Sequence, residues 1–149
     1  MTPPQSRSDA ALATSLRISV SRLARRLRAE RRARGLQPEL SDTQLAALAL
    51  LETHAAMTPG ELADHEKVQP PSITRVISSL EERGLIHRMP HPSDRRQVLL
   101  TVTDQGRDVV RKVRQLREAW LAQRLAELSP AERAVLREAL PILEKLSQS

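Results

Sequence analysis

The triplet Asp94-Arg95-Arg96 follows a turn-forming run and precedes a strand-like one, and its chemistry is anion recognition. Two guanidinium groups at a loop tip suit a narrow DNA minor groove, which concentrates negative potential and attracts arginine. A carboxylate beside them opposes a polyanion unless it orients one of them. Asp94 is therefore expected to hydrogen-bond a neighbouring Arg and hold it extended. The competing reading is a solvated turn with a local ion pair, worth at most about 1 kcal/mol. A second set lies upstream, where Pro71, Ser72, Thr74, Arg75, Ser78 and Ser79 fall opposite Ile73, Val76, Ile77 and Leu80 at helical spacing. Small hydroxyl side chains let a helix backbone approach the major groove closely, and Arg75 can either fork onto guanine or clamp a phosphate. The start of that helix adds free amides and a positive dipole end.

Composition excludes most other chemistry. The 149 residues contain no Cys, which removes disulfides, thiolate catalysis and Cys-ligated zinc. There is no Phe or Tyr, and Trp120 stands alone, so stacking platforms for single-stranded bases are not expected. His54, His65, His87 and His91 show no metal-ligand spacing. No Gly-rich phosphate loop, nucleophile elbow or paired-acid constellation is present, so neither an enzyme nor a cofactor is expected. No apolar run approaches the roughly 18 residues of a membrane span, and Met1 to Asp9 lacks a hydrophobic stretch. The expectation is a cytoplasmic protein with no membrane partner.

Charge is unevenly placed. The chain has 24 Lys+Arg against 18 Asp+Glu, and residues 16–36 alone hold eight arginines against Glu30. That segment reads as a phosphate-facing helix or as a solvated face that pairs with acids elsewhere. Residues 58–103, which hold the two candidate sets, carry six basic and six acidic residues. Affinity for a polyanion would then depend on where the charges sit, or on help from the basic first helix.

The elements that must position these groups are mostly helices. Asp9 to Arg34 carries Leu12, Leu16, Val20, Leu23 and Leu27 as one stripe, and Gly35 suits a left-handed stop. Capping boxes at Ser41/Gln44, Thr58/Glu61 and Ser129/Glu132 start three more helices. Residues 58–66 and 70–83 form a pair of short helices, with Gly84 and Leu85 closing the second. Leu85 to Met89 and Gln97 to Thr103 then read as a hairpin with a long charged tip, Val98, Leu100 and Val102 alternating along its second strand. Thr103 caps a helix with Val109, Val113, Leu116 and Trp120 on its stripe. The final helix contains Pro141, which predicts a kink or a break. The fold class expected is mainly α with a small β-hairpin wing: a winged helix-turn-helix lobe over 41–103, flanked by long helices over 9–35 and 104–149. Two apolar-striped terminal helices exceed what a lobe of about 65 residues can cover, so they should pair with a second copy.

Residues 41–106 also resemble the MarR family of bacterial transcriptional regulators. The matching stretches are Leu40-Ser41-Asp42-Thr43-Gln44, Leu62-Ala63, Ser72 to Ile77, Leu80 to Ile86 and, most specifically, Asp94 to Gly106. The resemblance implies an obligate homodimer with intertwined terminal helices and two winged lobes on a palindromic double-stranded operator. It implies that Arg96 is the minor-groove arginine with Asp94 as its partner. Arg75 would be a recognition-helix contact, and Ser41 and Thr43 would lie near the DNA backbone. A small-molecule effector, often phenolic or a carboxylate, is a further implied partner, although this chain has no Phe or Tyr to line its cleft. The expected function is a sequence-specific DNA-binding regulator, most simply a repressor. The alternative is a basic architectural or anion-binding helical protein without sequence preference.

Overall fold

The computed structural model describes the backbone of residues 4–35, 39–66 and 70–148, with side chains from residues 8, 39 and 72 onward in those spans. The order is α1 (Pro4–Ala33), α2 (Asp42–His54), α3 (Pro59–Glu66), α4 (Pro70–Glu82), β1 (Ile86–Pro90), β2 (Val98–Val102), α5 (Asp104–Ala126) and α6 (Pro130–Ser147). The chain divides into two compact units, residues 31–115 and residues 1–30 with 116–149.

The 31–115 unit holds the aliphatic core. Leu48, Leu51, Leu62, Ile77, Leu80, Leu85, Ile86 and Leu100 are fully buried in it. Local chemistry sets the element ends. Ser41 Oγ accepts the Gln44 amide while Gln44 Oε1 accepts the Ser41 amide, and Thr58 with Glu61 repeats the exchange at α3. At the end of α4, Gly84 takes φ +70°. Its amide donates to Glu81 O, and the Leu85 amide donates to Leu80 O. This is a Schellman closure, sealed by the buried Leu80 and Leu85 side chains.

The two strands pair antiparallel, with Ile86 opposite Val102 and Pro90 opposite Val98. Met57 adds a short bridge to Leu100 on the other edge of β2, through bonds of 3.1 and 2.7 Å. That bridge follows a γ-turn in which the Ala56 amide reaches His54 O at 2.7 Å and Ala55 takes φ 65°. Thr103 joins wing to helix: its hydroxyl donates to Gly84 O at 2.8 Å and accepts the Gly106 amide at 3.0 Å. Gly106 lies so close to the wing base that a Cβ there would stand 2.3 Å from Leu85 O. The Thr-x-x-Gly spacing thus caps α5 and seats it on the residue that ends α4.

The other unit is built differently. No residue of 8–30 or 116–148 is buried, and Leu12, Val20, Leu23, Val135, Leu136, Leu140, Ile142, Leu143 and Leu146 are exposed. Two expectations need correction. Helix α1 begins at Pro4 rather than Asp9, because a proline in the first turn forfeits no helical bond. Of the kink or break expected at Pro141, only the break is overturned: α6 runs unbroken through it, since the missing amide removes one intrahelical bond while the turns on either side still close.

Candidate nucleic-acid interface

Helix α4 buries Ile73, Ile77 and Leu80 and leaves Ser72, Thr74 and Arg75 exposed. Among the described residues no side chain pairs with the Arg75 guanidinium. Ser78 is half-buried. Pro71 belongs to the helical backbone, but its side chain lies outside the described residues. The expectation that Ser79 shares the outer face is corrected. It is half-buried, and its Oγ accepts from Gln44 Nε2 at 2.8 Å. The reason is tertiary: the N-terminal turn of α2 lies beside that turn of α4. Glu81 is likewise occupied, paired with Arg88 Nε of β1 at 2.7 Å.

Ser41 and Thr43 are exposed at the start of α2. This start is clamped by Arg31, which is 6% exposed. Its guanidinium donates to Leu40 O at 2.9 Å and to Asp42 Oδ1 at 2.8 Å. Arg32 stands 3.5 Å from the other Asp42 oxygen. Part of the arginine-rich segment is therefore structural, which the two open readings of that segment did not separate. Beside this junction lies a cleft of about 380 Å³ lined by Arg31, Arg32, Gly35, Glu39, Leu40 and Ser41.

At the wing tip Arg95 and Arg96 are exposed, and among the described residues no side chain pairs with either guanidinium. Asp94 does hydrogen-bond a neighbouring arginine, but at its backbone: Oδ1 accepts the Arg96 amide at 2.9 Å. The Gln97 amide donates to Asp94 O at 3.0 Å, closing the turn. His91 was missed as a tip residue. Its Nδ1 accepts the Ser93 and Asp94 amides at 3.3 and 3.2 Å, so the ring caps the turn as an Asx side chain would. The signal was a ring acceptor placed just before two free turn amides. Nearby, the Thr58 amide and then its hydroxyl hold the Glu61 carboxyl below its usual range, with smaller help from His91 and His65.

Beside α3, the His54 and His65 rings lie 5.0 Å apart in a cleft of about 290 Å³ with Met57, Glu61 and Asp64. Among the described residues no group of three or more His, Asp or Glu side chains is arranged to hold a metal ion. No described helix is long and apolar enough to cross a membrane.

Comparison with known proteins agrees with this geometry. The MarR family model matches residues 40–98. An HTH-type transcriptional regulator of Mycobacterium tuberculosis is 47% identical over 136 residues, covering 91% of this chain and 92% of the relative. The HTH-type transcriptional repressor MdtR of Bacillus subtilis is 28% identical, covering 93% of this chain and 87% of its own. Among solved structures, wild-type MarR of E. coli in its apo form superposes with a TM-score of 0.72 at 26% identity, over 89% of this chain and 96% of that one.

Proposed function

Because the chain belongs to the MarR family of DNA-binding transcriptional regulators, we propose that it is a sequence-specific homodimeric repressor acting on palindromic operators. In this reading α4 enters the major groove and the wing places Arg95 and Arg96 along the adjacent minor groove. The observation that carries it is the state of three arginines. Arg75, Arg95 and Arg96 are exposed and without side-chain partners among the described residues, whereas Arg31 and Arg88 are consumed by internal bonds. A lobe with balanced charge that leaves Arg75 exposed on α4, Arg83 exposed just past its end, and Arg95 and Arg96 exposed at the wing tip can bind a polyanion by placement.

The homodimer rests on the exposed leucines of α1 and α6. Contiguous apolar faces of that kind mark an interface, and a second copy covers both with one symmetry operation. Residues 9–35 and 104–149 would then be dimerisation helices and 41–103 the DNA-binding lobe. An effector belongs to the same reading. The solved structure of Bordetella bronchiseptica BpsR, 25% identical with a TM-score of 0.63, concerns regulation of its DNA binding by 6-hydroxynicotinic acid. Here the cleft beside the Arg31 clamp offers the exposed Arg32 guanidinium as a cationic partner to a small carboxylate.

Selection of bound sites from random duplexes tests the proposal. A palindrome that survives excess random DNA at near-physiological salt supports it. Binding that vanishes under such competition supports the architectural alternative instead.

A further inference from the structure

We propose that Gln44 is a positioning residue for DNA recognition: it fixes α4 against the start of α2, so that Arg75 and the Ser41–Thr43 turn meet DNA at one set spacing. The inference rests on the reading that both surfaces face DNA.

The three capping boxes among the described residues supply the first observation. Two of them close with a glutamate, Glu61 and Glu132, and only the α2 box closes with a glutamine. A glutamate would accept the Ser41 amide equally well, but it has no N–H to donate. Gln44 uses both halves of its amide. Oε1 accepts the Ser41 amide at 2.8 Å, while Nε2 donates to Ser79 Oγ at 2.8 Å. The cap holds the rotamer, and the held rotamer aims the donor at α4.

The second observation is where that donor lands. Ser79 lies one helical turn beyond Arg75 on the same stripe of α4, so fixing Ser79 fixes the roll of the face that carries Arg75. A roll of about 20° would move a side-chain shell about 5–6 Å from the helix axis by roughly 2 Å. That displacement is large compared with the tolerance of a bidentate base contact. The other side of the anchor is held too, since Arg31 bonds Leu40 O and Asp42, the residues flanking Ser41.

The test uses full-length protein and fluorescence anisotropy at fixed salt, on the selected operator and on a random duplex. Ser79→Ala leaves the capping box intact. It is expected to lower operator affinity about five- to tenfold, with random-duplex affinity nearly unchanged. Gln44→Met should reproduce that loss of discrimination, and the double variant should be no worse than Gln44→Met alone. Loss of operator and random-duplex affinity in equal proportion, or effects that multiply in the double variant, would overturn the positioning role. So would a Ser79→Ala protein with undiminished preference. A wild-type protein that selects no preferred site would instead overturn the parent reading of a sequence-specific regulator.

Discussion

One carboxylate oxygen of Asp94 lies 2.9 Å from the backbone amide of Arg96, so the acid shapes the turn that presents the arginine. Its role is to accept a main-chain hydrogen bond, and a neutral amide oxygen can do the same. Asp94→Asn should therefore keep operator affinity, or raise it by removing a negative charge near phosphate. Asp94→Ala should weaken binding by about 1 kcal/mol. Equal losses in the two variants, measured at fixed salt, would show that the charge and not the turn matters. Arg96→Ala should weaken binding by about 1–3 kcal/mol while leaving the sedimentation coefficient unchanged.

Arg75 has two possible targets with different signatures. If it reads guanine, Arg75→Ala should relax preference at one position in each half-site and leave the others alone. If it clamps a phosphate, the variant should bind all sites more weakly and lose roughly one unit of salt slope per subunit. Site selection repeated at two salt concentrations separates them. Wild-type affinity and preference in the variant would mean that α4 is not docked in the groove.

Gly106 is a packing requirement. A methyl group there meets the Leu85 carbonyl at 2.3 Å, and that carbonyl is already engaged by the Thr103 amide at 3.0 Å. Gly106→Ala should lower stability by about 1–3 kcal/mol through overpacking, despite the better helix propensity of alanine. Chemical denaturation followed by circular dichroism gives the value, and a stabilised variant would contradict the close approach.

Deletion of residues 129–149 removes the Ser129-capped helix with its exposed Leu136, Leu140, Leu143 and Leu146. The dimer should dissociate or the chain aggregate. Sedimentation of the full-length protein as a well-folded monomer would sink the dimer outright.

Acid should loosen the starts of α3 and α6. The Ser129 amide and then its hydroxyl hold the Glu132 carboxyl below its usual 4.5, and Thr58 does the same to Glu61. A lowered folded value means stabilisation that is present above the unfolded value and lost as pH falls through the folded one. Glu132→Gln should therefore melt below wild type near pH 7, with a gap that closes as pH drops below about 4.5. The Gln44 box is neutral and adds no carboxylate of its own to this trend. A gap that stays constant into acid would contradict the assignment.

What the sequence made legible was local. The Ser41 and Ser129 boxes, the Gly84-Leu85 closure and the Thr103 cap are each specified by residues within a turn of one another, and the structure places them as read. The hairpin was legible by its period. What escaped were bonds between distant elements. Gln44 meets Ser79 across 35 positions, Met57 bridges Leu100, and Arg31 is buried against α2. Such pairs depend on how helices roll and stack, which periodicity does not encode. Ser79 was misplaced for that reason: its spacing set the face correctly, and only the arrival of α2 covers that part of it.

The wing tip is ordered before any partner arrives. His91 accepts two turn amides, the His91 amide reaches Gln97 O, and Asp94 holds both Gln97 and Arg96. Fixing a backbone residue forfeits about 1–2 kcal/mol of conformational entropy, and for residues 91–97 most of that loss accompanies folding. On the proposed docking, association then has the Arg95 and Arg96 side chains left to immobilise. The apparent affinity scales with the fraction of molecules whose tip is closed. On the proposed docking, removing the His91 ring as an acceptor of the turn amides should lower operator occupancy by lowering that population.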